Sequence, residues 1–186
     1  MKNLLVLVAL VSIVCLSCDS RKTKKESLEQ AVSAFNLKTT PVQSATYHPE
    51  SYVEIVTDTI ISNSVQVRIK NYSLLDEQIL ISDATNGVTK KVNYQRVFES
   101  DISVFTATKD ILNTHISAKQ ISAIDADPFW DNATLQHAWV NQELSTAEDI
   151  KLDITFINPI DDTHKLYRMS IDSNGQQTLN LIEAQS

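Results

Sequence analysis

Four histidines, two groups of aspartates and two cysteines are the residues of this 186-residue sequence with the chemistry to hold a metal or move a proton. His48, His115, His137 and His164 contain no pair at the i, i+4 spacing that places two imidazoles on one helix face. Asp161, Asp162 and His164 crowd into one short stretch and could converge on a cation. Aspartate favours turns through hydrogen bonds to its own backbone, and that accounts for them without a metal. Asp125, Asp127 and Asp131 flank Pro128, but a general acid needs a neighbour that raises its pKa, and the sequence supplies none. No Gly-x-Ser-x-Gly elbow is present. The only glycines, Gly87 and Gly175, rule out P-loop and dinucleotide-type phosphate loops. No catalytic residue, metal ligand or cofactor is expected, and the chain reads as a non-enzyme.

The remaining chemistry is that of a thiol. Met1 to Cys18, MKNLLVLVALVSIVCLSC, sets one lysine before an apolar run from Leu4 to Leu16 and ends in Ser17-Cys18, the three parts of an export signal. Residues 1–17 read as address, and Cys18 as the new N-terminus, its thiol able to form a thioether with a diacylglycerol. The stretch resembles a bacterial lipoprotein signal, departing from it at Cys15, where leucine is usual. Ordinary cleavage after Cys15-Leu16-Ser17 would instead release a protein with a free thiol. Retention of the apolar run as an anchor meets its shortness against the ~20 residues of a spanning helix. Modification at Cys15 meets the β-branched Val14 beside it. With acyl chains contributing ~0.8 kcal/mol per buried CH₂, an anchor on Cys18 would be effectively permanent.

Subtracting the 17-residue leader from 186 leaves 169 residues, enough for one domain and a tether. Loss of Lys2 leaves 15 basic against 23 acidic side chains, a net charge of −8, which argues against nucleic acid and against docking by charge on an anionic surface. With both cysteines in the leader region, no disulfide or zinc-thiolate site is expected.

The elements follow from periodicity. Residues 18–50 read as a lipidated, flexible tether: a charged DSRKTKKE run, a short helix through Leu28, Val32 and Phe35 with Ser27 and Gln30 at capping-box spacing, and a two-proline linker. Residues 51–186 read as one antiparallel β domain. Val65, Val67 and Ile69 alternate with polar residues and are expected to pair with Tyr52–Val56 through a turn at 58–64. Asn86-Gly87 predicts a hairpin between strands at 78–82 and 88–98. Between 100 and 117, Ile102, Phe105, Leu112 and Ile116 fall at helical intervals and predict a helical insertion. A strand over 135–144 and a three-strand meander from Ile150 to Ile182, turning at Asn158-Pro159 and Asn174-Gly175, complete a mainly β fold, an antiparallel sheet or sandwich built from hairpins.

Two large aromatics in the loop, Phe129 and Trp130, with Trp139 on the next strand, could form a platform for a sugar ring or a partner's apolar side chain, weighed against plain core packing.

In order and spacing, YQRVF, a helical-looking segment, LQHAWVNQEL, KLDITFINP, the polar turn DDTH, KLYRMSID and NGQQTLNLI resemble small Bacteroidota lipoproteins carrying the domain of unknown function numbered 4738. The resemblance spans about residues 50–183, has only Gly175 where that family has a glycine-rich turn, and shows an apparent insertion at 110–130. It implies an envelope lipoprotein and brings no activity with it. The expectation is a protein anchored through Cys18 in the bacterial cell envelope, facing periplasm or cell surface. It would bind another envelope protein by an exposed strand edge or the Trp130 loop, or else a small ligand or glycan by its aromatics, with hydrolysis as a distant third.

Overall fold

The computed structural model describes residues 23–38, 42–86 and 89–185. The leader, Cys18 and Gly87 lie outside them. The chain falls into two compact units, one holding helix α1 and the other Gln43–Asn86 with Lys90–Ser186.

Helix α1, Lys24–Lys38, starts one turn before the expected capping box. Thr23 Oγ1 accepts from the Glu26 amide, and Glu26 Oε2 accepts from the Thr23 amide, so the Thr-x-x-Glu pair closes the box instead of Ser27 and Gln30. Leu28, Val32 and Phe35 are exposed on it.

The second unit is a mainly β sandwich. Its first sheet has the order β1-β4-β3-β2, with β5 also paired to β4. Its strands are β1 Val42–His48, β2 Glu54–Ile61, β3 Val65–Asn86, β4 Thr89–Phe105 and β5 Asp110–Ile116. The second sheet is a meander, β6-β7-β8-β9, from β6 Thr134–Val140 through β7 Asp149–Asn158 and β8 Thr163–Asp172 to β9 Gln177–Gln185. Alternation puts Val65, Val67, Ile69, Ile102 and Val104 of one sheet against Leu152, Ile154, Phe156, Met169 and Ile171 of the other, all essentially sealed from water.

The expected strands from 65, 135 and 150 onward are present, and so is the C-terminal meander, while three boundaries differ. The β2–β3 turn is shorter than 58–64. It comprises the three residues 62–64, with Ser62 and Asn63 both at positive φ, and Asp58 stays in β2, where it pairs with Arg68 at 2.7 Å. The β domain begins before residue 51, because residues 42–48, read as linker, form β1. Tyr47 there stacks on Tyr94 at 5.3 Å and lies under the Arg96 guanidinium.

The helical insertion is short and lies later than 100–117. Residues 100–105 continue β4, and 110–116 form β5, joined by a turn in which Thr106 Oγ1 accepts from the Thr108 and Lys109 amides. Buried Ser100 in an inward position hides the alternation, and a bulge at Val104/Phe105 shifts it by one residue, which together mimic a helical period. The helical part follows β5: α2, Ala118–Ser122, capped by a Ser117/Gln120 box, and a 3-10 turn over Pro128–Asn132 capped by Asp127.

Candidate functional site

The three aromatic candidates do not converge. The 3-10 turn carries Phe129, half-buried, and Trp130, which is 7% exposed. Trp130 packs edge-on against Phe129 at 4.9 Å and Phe156 at 5.1 Å, and tilted on Tyr167 at 5.9 Å, so it belongs to the core. Trp139 sits on the opposite, outward face of β6, half-buried and stacked on His137 at 5.4 Å. It does not pack in the core, the reading that simple hydrophobicity favours for it. Its strand neighbour on that face is Asp153.

The Trp130 indole is held by an ionic cluster drawn from three segments. Asp125 Oδ2 accepts from Trp130 Nε1 at 3.0 Å, Lys165 Nζ at 3.2 Å and the Tyr167 hydroxyl at 3.2 Å, and Asp127 Oδ2 accepts from Lys165 at 2.7 Å. Lys165 is buried, with Phe129 and Trp130 rings 5.2 and 5.3 Å from its ammonium. The indole hydrogen bond and Lys165 hold Asp125 below the ordinary carboxylate range, and Lys165 does the same for Asp127. Burial works against the Lys165 charge, but its bonds to Asp127 and Asp125 outweigh that and keep its pKa raised. Burial, together with the Asp125 charge, pushes the Tyr167 phenol up to about 12. Each of these shifts favours the group's ordinary form, and the cluster ties the Trp130 indole to β8 through Asp125. Asp125 and Asp127 were legible as loop carboxylates. Lys165, about forty positions away, was not.

Asp161 and Asp162 form a turn, with Asp161 Oδ1 accepting from the Thr163 amide and hydroxyl and Asp162 at positive φ. Among the described residues no three His, Cys, Asp or Glu side chains gather closely enough to hold a metal. His115 lies between carboxylates, with Nδ1 3.0 Å from Asp101 and Nε2 3.3 Å from Glu99. Burial, helped by the nearby Glu77 and Asp101 charges, raises Glu99 despite His115. Lys70 joins the outer side of this group at 3.0 Å from Asp101.

The feature with room for a partner is β3. At 22 residues it is far longer than β2, which pairs with it only from Val65 to Tyr72. The last contact of that edge is the Ser73 amide donating to Val53 O at 2.9 Å. Beyond it the chain entering β2 leaves the edge. Arg96, buried on β4, clamps that crossing by donating to Pro49 O at 2.9 Å and Glu50 O at 3.4 Å, and reaches Leu75 O at 2.6 Å. From Leu74 to Thr85 no described strand pairs with the outer edge of β3. Leu75, Leu80 and Ile81 are exposed along it. A cavity of about 460 Å³ opens beside its first part, lined by Asp76, Glu77 and Ile79 of β3, Glu99 of β4, Lys119 of α2 and Asp131 of the 3-10 turn. Trp130 is among the residues that line it.

No family model matches this chain, and none of the curated proteins is similar enough to count as a relative.

Proposed function

We propose that the protein is a non-catalytic binding lipoprotein of the bacterial cell envelope, anchored through an acylated Cys18, whose β domain receives a segment of another envelope protein on the outer edge of β3. The observation that carries this is the length of β3 without a pairing strand. A row of main-chain donors and acceptors, flanked by exposed Leu80 and Ile81, is the template used in strand addition. The anchor rests on the leader, Lys2 before an apolar run ending at Ser17-Cys18, and on the likeness in strand order to the small Bacteroidota lipoproteins.

Two measurements test it. Metabolic labelling with an alkyne fatty acid should tag the full-length chain and not Cys18→Ala; equal labelling of both sinks the anchor. Affinity purification from detergent-solubilised host membranes should recover a stoichiometric protein that is lost with Cys18→Ala and with a variant whose β3 edge carries Leu80→Lys and Ile81→Lys. Recovery of the chain alone from all three sinks the partner.

A second reading, a small-ligand or glycan site, is favoured by the cavity beside Trp130. Its weak point is that the indole ring is spent on the core, so Trp130→Phe should change stability and leave ligand-induced thermal shifts intact.

A further inference from the structure

Along β3 the Ser73 amide points toward β2, so the main-chain groups of residues 75, 77, 79, 81, 83 and 85 share that direction and face outward once β2 has ended. Among them only the Leu75 carbonyl has a described side-chain partner, Arg96. The side chains beside this row carry one sign of charge. Asp83 is neutralised by Lys90 at 2.8 Å. Asp76 and Glu77 have no basic partner among the described residues, and Glu99 and Asp131 add two more carboxylates across the adjoining cavity against the single Lys119. Between the charged ends, Ile79, Leu80 and Ile81 make the middle of the row apolar.

A second copy fits this edge badly. Laid antiparallel and centred on Leu80, it would set Asp76 of one chain against Ala84 of the other and Glu77 against Asp83, so that neither unpaired carboxylate meets a base, and each chain without its leader carries a net charge of −8. We infer that the occupant is an extended segment of a different protein, apolar in its middle and basic at the end that lies beside Asp76 and Glu77. Its main chain continues the first sheet past β3, its apolar residues cover Leu80 and Ile81, and its lysine or arginine enters the acidic cavity. This deepens, and rests on, the reading of β3 as the binding edge.

The test uses the full-length chain in detergent and fluorescence anisotropy with synthetic probes. The first is a nine-residue peptide with Lys-Arg at one end followed by alternating valine and threonine. The second carries glutamine in place of both basic residues. The third keeps the basic residues but is N-methylated throughout its valine–threonine part, so it cannot pair as a strand. The first should bind, the second at least about tenfold more weakly, and the third not measurably. Asp76→Lys combined with Glu77→Lys should reverse the preference toward a peptide ending in two glutamates.

Equal binding of the first two probes overturns the basic end and leaves edge binding standing. Equal binding of the first and third reduces the attraction to bare charge and overturns both, as does binding of none. A chain that sediments as a dimer and takes up no peptide gives the edge to a second copy and overturns the inference.

Discussion

Replacing Arg168 by methionine removes the partner of a buried carboxylate on the outward face of the second sheet. Asp153 is 4% exposed and receives Arg168 Nε at 2.7 Å and Nη2 at 3.0 Å, and the Asn141 amide donates to it at 2.8 Å. Truncating one member of a fully buried pair costs roughly 3–5 kcal/mol. Two features lower that here: the Arg168 side chain is 25% exposed, so water screens it in part, and Asn141 stays behind as a donor. The expected loss is about 2–3 kcal/mol at neutral pH. Burial alone would raise Asp153, but Arg168 and then Asn141 outweigh it and lower its pKa below the usual value. Because the folded pKa is depressed, the stabilisation is fully present above the unfolded value of about 3.9. It fades as pH falls through the lower folded value, so the deficit of Arg168→Met should shrink below about pH 4. Urea unfolding of wild type and variant from neutral to acid pH measures it. A double variant with Asp153→Val should recover most of the loss, since no charge is left unpaired. A cost under about 0.5 kcal/mol at neutral pH, or one unchanged in acid, would refute the reasoning.

Ser100→Ala should raise stability by up to about 1 kcal/mol, because the Ser100 hydroxyl is fully buried and has no hydrogen-bond partner among the described residues; a clear fall in the urea midpoint would contradict this. Gly175→Ala should lower the melting temperature sharply, for Gly175 has φ +83 and an added Cβ would run into the Ile111 carbonyl oxygen; an unchanged melting temperature would refute the clash. In an ultraviolet pH titration of the folded chain, one phenol should ionise only at about pH 12, and Tyr167→Phe should remove that phase alone. If the late phase survives, its assignment to Tyr167 is wrong.

The strands legible in the sequence are those whose inward positions are all apolar. Ile150, Leu152, Ile154 and Phe156 announce β7, and Val65, Val67 and Ile69 announce β3, because burial of one face writes a period of two directly into residue type. Where an inward position is polar, the period is lost: Ser100 in β4 is the clearest case, and the bulge after Val104 completes the disguise. β1 was hidden for a different reason, since what makes Val42–His48 a strand is its pairing with β4 and the stacking of Tyr47 on Tyr94, contacts between residues far apart in sequence. The ionic cluster is similar. Lys165 stands in phase with Tyr167, Met169 and Ile171, where its charge marks the apparent end of the apolar face, yet it is buried with them, because Asp125 and Asp127 from the insertion meet it there. Of the free edge, the sequence shows the strand residues but not where β2 stops.

That stopping point gives β3 two different lives along one continuous strand. Up to Ser73 the odd-numbered amides are locked to the chain of β2 and its approach, and behind them lies the core. From Leu75 onward the even-numbered amides face β4 while the odd-numbered ones face water. Exposed to deuterium, such a stretch exchanges with a period of two, fast and slow residues interleaved within a single element. Ligand uptake at the edge would then appear as the loss of the fast half alone, a change that the protein's overall stability need not register.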